Sequence, residues 1–291
     1  MLRPYDSTVG YNGGVSGAFV AKLKAAVDRN QSLLCVGLDP DPALMPVKDA
    51  GEFNEAIIEA TADLVCAYKP NLAFYEALGE AGWAALRRTL AAIPAHIPVI
   101  ADAKRGDIGN TAAAYARAVF EVLGCDAMTV NPYGGEDAVE PFLEYEEKGV
   151  FVWCRSSNPS AGDFQDLVVE QGGERRPLWQ VVALRAREWN RSGNVGLVVG
   201  ATYPAQLAEA RALCPGMPIL VPGVGAQEGS LRDAVQAGLD AAGGGLIISA
   251  SRSVLYAARD AEYALGARAA ALHLRDLINR YRQEENVPAE A

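Results

Sequence analysis

Histidine is nearly missing from this chain. His96 and His273 are the only two in 291 residues, far apart in sequence, which excludes a histidine-rich metal centre. Cysteine is sparse as well: Cys35, Cys66, Cys125, Cys154 and Cys214 are odd in number, widely spaced, mostly within apolar runs, and form no CxxC pair. They read as buried, reduced thiols of a cytoplasmic protein. Basic clusters are absent. Against 36 Asp and Glu stand 26 Lys and Arg, for a formal net charge of −10, and no Lys/Arg run supplies the face that nucleic acid requires. No charge-free apolar run reaches the roughly 18–20 residues of a membrane helix, so a soluble chain without a membrane partner is expected. Residues 1–14 contain Arg3, Asp6 and several glycines but no apolar core, and read as a loose arm rather than a signal peptide.

Half of the residues are hydrophobic, enough for one large α/β core. Short apolar runs alternate with helical patterns along nearly the whole chain. A helix over Gly17–Arg29 precedes the first strand, Ser32–Leu38, which Asp39-Pro40-Asp41-Pro42 stops. Further strands are expected at Tyr68–Leu72, Ile97–Ala101, Cys125–Val130, Gly149–Cys154, Val195–Val199, Pro218–Val221 and Gly245–Ser249. Helices are expected over Glu52–Ala67, Gly79–Ala92, Thr111–Leu123, Glu136–Glu147, Pro177–Arg191, Pro204–Leu213, Gly229–Ala237 and Tyr263–Arg282. A polar excursion, Arg155–Arg176, interrupts the rhythm, and the tail from Glu284 to Ala291 is polar. Eight strand-then-helix units match a (β/α)8 TIM barrel, one α/β domain over residues 15–283 with an N-terminal helix. An open doubly wound sheet would carry a GxGxxG turn after an early strand, and none is present there.

Active sites of such barrels lie at the C-terminal ends of the strands. Asp102-Ala103-Lys104-Arg105-Gly106-Asp107-Ile108 follows the run Ile97–Ala101, and in an extended strand Asp102 and Lys104 share a face. A surface salt-bridge cluster is the plainer reading, but buried charges are costly unless paired or used. Lys69, in Tyr68-Lys69-Pro70-Asn71, adds a second strand-end lysine, and Asp39 a second aspartate. After the seventh and eighth strands come Pro222-Gly223-Val224-Gly225-Ala226-Gln227 and Ser249-Ala250-Ser251-Arg252-Ser253. Glycine amides, Gln227 and the two-pronged Arg252 suit a phosphate.

These residues together resemble the orotidine 5′-phosphate decarboxylase family. Asp102–Ile108 resembles its Asp-x-Lys-x-x-Asp-Ile signature, joined by Gly37-Leu38-Asp39-Pro40, Tyr68–Asn71, Ser157-Asn158-Pro159-Ser160, Pro222–Gln227 and Ser251-Arg252-Ser253 in order. The long form resembles the second, mainly bacterial subgroup. The resemblance implies that a nucleoside monophosphate is decarboxylated without a cofactor or metal. Lys104 would protonate C6, Asp102 would sit beside the substrate carboxylate, and Lys69 and Asp107 would complete the charge array. Asp39 and Lys69 would hold the ribose, Ser157 would read the pyrimidine, and Gln227 and Arg252 would grip the phosphate beside Pro222. It further implies a homodimer in which Asp107, with Ile108 and Thr111, serves the neighbouring site. Glu228 departs from the family pattern, which more often has glycine after the glutamine. Two other readings compete: a magnesium-dependent sugar-phosphate decarboxylase or aldolase on the same scaffold, and a non-catalytic nucleotide-binding barrel.

Overall fold

A computed structural model describes residues 17–224 and 228–284. The expected arm at 1–14, the tail beyond Glu284, and Gln227 therefore lie outside the described residues. Strands β1 (Leu34–Gly37), β2 (Ala67–Lys69), β3 (Ile100–Arg105), β4 (Ala127–Val130) and β5 (Gly149–Arg155) come first. A small hairpin of β6 (Val168–Gln171) and β7 (Glu174–Pro177) follows, then β8 (Val195–Val199), β9 (Ile219–Pro222) and β10 (Leu246–Ala250). All but the hairpin form one parallel sheet in the order β2-β1-β10-β9-β8-β5-β4-β3. Bridges Tyr68↔Val99 and Asn71↔Asp102 bring its two edges together, so the eight strands make a nearly closed TIM barrel. Parallel pairing demands a crossover between strands, and the helices between them supply it.

Alternation along each strand sorts the core into two layers. Cys35, Ala67, Ile100, Ala127, Phe151, Val198, Leu220 and Ile247 fill the barrel interior, while their neighbours pack outward under the helices. Helix α1 (Ala18–Asn30) closes the bottom: Phe19 and Leu23 join the interior layer, and Phe19 meets Phe151 edge to face at 5.7 Å. Gly149 permits this, since a Cβ there would stand 2.5 Å from the Phe19 ring. The remaining long helices are α2 (Ala50–Thr61), α4 (Gly79–Ala92), α5 (Gly109–Arg117), α6 (Glu136–Leu143), α7 (Leu178–Trp189), α8 (Pro204–Leu213), α9 (Glu228–Gly238) and α11 (Tyr263–Gln283). Short helices α3 (Leu72–Glu76) and α10 (Arg252–Leu255) sit directly after β2 and β10. No helix among the described residues is long and apolar enough to cross a membrane.

Three local expectations change. The strand expected to end at Ala101 runs on to Arg105, with a register break against β4 between Ala101 and Arg105. The helix expected to reach Ala67 stops at Thr61, because Leu64 and Val65 turn into the core ahead of β2. The excursion at 155–176 is not wholly irregular: Gly172 and Gly173, both at positive φ (62° and 83°), turn the β6–β7 hairpin.

Candidate active site

Lys69, Asp102 and Lys104 meet at the C-terminal mouth of the barrel. Ala67 and Ile100 face the interior, so Lys69 and Asp102, two residues on, do as well. Lys69 Nζ donates to Asp102 Oδ2 at 3.0 Å, and Lys104 Nζ donates to Asp102 Oδ1 at 2.6 Å. One nearly buried carboxylate thus joins a buried ammonium to one that is 36% exposed to the cleft. Burial pushes Asp102 toward protonation, but the Lys69 and Lys104 charges outweigh it and hold the carboxyl well below the usual range. Burial likewise opposes the charge on Lys69. The Asp39 and Asp102 carboxylates overcome it and raise the ammonium above the ordinary lysine value. Cys35, deep in the interior near Lys69, is pushed up to about 12 by burial and stays a neutral thiol.

Lys104 does not reach Asp102 through regular strand geometry. Its φ is +46°, in the left-handed region that a residue with a Cβ avoids. The simple alternation that puts Asp102 and Lys104 on one face is therefore broken by a kink, and the two side chains converge because of that kink.

A cavity of about 260 Å³ opens over this cluster. Lys69, Asp102 and Lys104 line it together with Trp153, Ser156, Ser157, Asn158 and Pro222, and Val198 and Leu220 of the interior layer reach it. Lys104 Nζ lies 5.9 Å from the centre of the Trp153 ring. Ser157 sits on the loop after β5, where Gly200 leaves room: a Cβ there would stand 2.8 Å from Ser157 Cβ. Buried Arg155 holds that loop. Its guanidinium donates to Gln206, Gln165 and Asp166 side chains, and lies 4.4 Å from the centre of the Tyr203 ring. Gln165 in turn accepts from Ser156 N and donates to Ser156 Oγ, each at 2.9 Å.

The other expected residues fall around this centre. Asp39 is half-buried beside Lys69, and its Oδ1 accepts from Asn71 N at 3.2 Å. Arg252 opens α10 at the end of β10, exposed and unpaired with any described residue. Asp107, Ile108 and Thr111 are exposed and do not line the cavity, and Asp107 Oδ1 accepts from the neighbouring Ile108 N. Trp153 and the Arg155–Gln165 support are additions that the motif reading missed, and Asn158, quoted within a motif but given no role, also lines the cavity. Trp153 had a signal, since it shares the inward parity of Phe151; Gln165 had none, because it comes from the excursion. Among the described residues no three His, Cys, Asp or Glu side chains gather to hold a metal ion.

Comparison with known proteins agrees with this fold. The family model described as Orotidine 5′-phosphate decarboxylase / HUMPS family matches residues 32–267. An orotidine 5′-phosphate decarboxylase of Thermomicrobium roseum is 58% identical over 274 residues, 92% of this chain and 97% of the relative. One from Dehalococcoides mccartyi is 54% identical over 266 residues, 91% of this chain and 98% of the relative. The structure of the Leishmania donovani OMP decarboxylase, 46% identical, superposes with a TM-score of 0.81 over 91% of this chain and 99% of its own. With a matched model spanning most of its length and relatives above half identity, the chain belongs to the orotidine 5′-phosphate decarboxylase / HUMPS family.

Proposed function

We propose that this chain converts orotidine 5′-phosphate to uridine 5′-phosphate and carbon dioxide, a carboxy-lyase step in pyrimidine nucleotide formation, without a metal or organic cofactor. The observation that carries the reading is Asp102 bridging Lys69 and Lys104 at the mouth of a cavity of about 260 Å³. The C6–carboxylate bond breaks, carbon dioxide departs with its carbon, and the electron pair stays on C6. No adjacent group of the ring takes up that pair, so fixed positive charge and a proton must stand at one point. Lys104 supplies both: its Nζ proton passes to C6, and water reprotonates the amine. Asp102 keeps the ammonium charged and aimed, and lies against the substrate carboxylate that is lost. Asp39 and Lys69 hold the ribose, Ser157 reads the pyrimidine edge, and Pro222, Gln227 and Arg252 form the phosphate end.

Residues 15–283 act as one catalytic domain, and the working enzyme is a homodimer in the cytoplasm. Five free, buried thiols suit a reducing compartment. Asp107 stands exposed at the same mouth, beside Ile108 at 63% exposure and near-fully exposed Tyr133. Exposed apolar side chains and an exposed carboxylate fit a second barrel set face to face, each giving Asp107, Ile108 and Thr111 to the other's site.

The relatives above half identity are named for the decarboxylase and favour it over the sugar-phosphate branch of the family. The purified protein in excess EDTA is expected to turn over orotidine monophosphate, followed as loss of ultraviolet absorbance. No turnover, or turnover only with added magnesium, overturns the reading.

A further inference from the structure

Below the Asp102–Lys104 pair stands Thr129 on β4, which no motif singled out. It is 1% exposed and shares the inward parity of Ala127. Its Oγ1 accepts from two successive amides, Ala103 N at 3.0 Å and Lys104 N at 2.9 Å. Amides only donate, so both hydroxyl lone pairs are taken, and the single hydroxyl proton has to go elsewhere. It goes to Asp102 Oδ1, 3.0 Å away. That is the same oxygen that receives Lys104 Nζ. One hydroxyl therefore ties both ends of the kink: the backbone of Lys104 at positive φ and the carboxylate that aims its ammonium.

We propose that Thr129 is a positioning residue for proton delivery, holding Lys104 in its left-handed backbone conformation and fixing the acceptor oxygen of Asp102. Left-handed residues with a Cβ persist where neighbouring structure imposes them, and they gather at functional sites. Both the Ala103 amide and the Lys104 amide bond this one oxygen. Without Thr129 the kink relaxes toward extended strand and Lys104 Nζ leaves Asp102 Oδ1. The ligand-facing groups, Ser157 and Pro222 among them, stay in place, so the loss falls on kcat.

The test rests on decarboxylation as the activity, and therefore reads lysine reactivity separately from turnover. Thr129→Val keeps the shape and removes the hydroxyl. It is expected to lower kcat about 30-fold, the range for a lost hydrogen bond to a charged group, with KM changed less than about three-fold. Thr129→Ser is expected to keep most of kcat, and Thr129→Ala to fall with Val. The Ser and Ala variants share the missing methyl, so their difference isolates the oxygen even where Thr129→Val does not fold. In trace acetylation read by mass spectrometry, Lys104 labelling relative to exposed Lys48 is expected to rise in the Ala and Val variants but not in Ser. Absent turnover in the unaltered protein overturns the functional reading and leaves labelling to decide the positioning. Unchanged Lys104 labelling, a Ser variant no better than Ala, or a loss confined to KM overturns the proposal.

Discussion

Asp102 has an ammonium on each oxygen, at 3.0 and 2.6 Å, and a threonine hydroxyl besides, whereas Arg252 stands exposed with no described partner. At the proposed reacting end of the cleft, carboxylate and ammonium groups are already paired before any ligand arrives. Asp102 and Lys69 are buried, all three charges are bonded, and a kinked strand carries Asp102 and Lys104, which is the preorganisation that makes electrostatic catalysis effective. The proposed phosphate end is the reverse: an exposed cation at the start of a short helix, which an anion would complete. A rigid reacting centre gains little from ligand-induced order. Binding energy collected on the remote phosphate can instead drive closure and so appear in kcat.

The largest break in this contrast comes at the reacting end. Lys104→Ala removes the proton and the charge together, and kcat is expected to fall by roughly 10⁴-fold or more. Nucleotide monophosphate binding, measured by calorimetry, is expected to survive, because the anchor is untouched. Asp107→Ala is expected to be nearly as inactive alone. Mixing the two inactive proteins and allowing subunits to exchange should restore activity, since one site in a mixed dimer has both residues intact. No recovery after exchange is confirmed by mass spectrometry would sink the shared site.

Arg252→Gln probes the opposite end with a smaller effect. Losing one charge-assisted contact to phosphate is expected to lower kcat/KM about 10–100-fold. On orotidine, which lacks the phosphate, the variant and the unaltered protein should run alike. A loss of equal size on both substrates would place Arg252 outside the phosphate end.

This division was unevenly legible in the sequence. The eight apolar runs and their spacing reveal the barrel, because parallel strands buried on both faces have to be apolar throughout. Val195–Val199 and Pro204–Leu213 fall where the pattern puts them, since a polar turn and a proline mark their limits. Lys69, Asp102 and Lys104 are visible as charges at the ends of such runs. What alternation cannot convey is a kink: the positive φ of Lys104 depends on Thr129, a residue 25 positions away that reads as an ordinary strand threonine. Nor can it reveal Arg155, whose partners Gln165, Asp166 and Gln206 come from the excursion and from α8. Pairings across loops leave no period behind.

The finest test of the contrast is the pH dependence of stability at Asp102. Its folded value lies below its unfolded one, so the ionised carboxylate stabilises the fold above the unfolded value of about 4. That stabilisation fades as pH falls from there toward the lowered folded value, because the unfolded chain then binds a proton that the folded one refuses. Asp102→Asn leaves Lys69 buried without its closest anion and is expected to cost about 2–3 kcal/mol at pH 7, read from urea unfolding. Between pH 7 and pH 3 the gap to the unaltered protein should narrow by about 1 kcal/mol, since Asn does not titrate. Arg252→Gln, at an exposed site, should shift stability by less than about 0.5 kcal/mol at either pH. A gap for Asp102→Asn that stays constant over that range would mean the carboxylate is not held down by its lysines, and the internally paired end of the cleft would lose its physical basis.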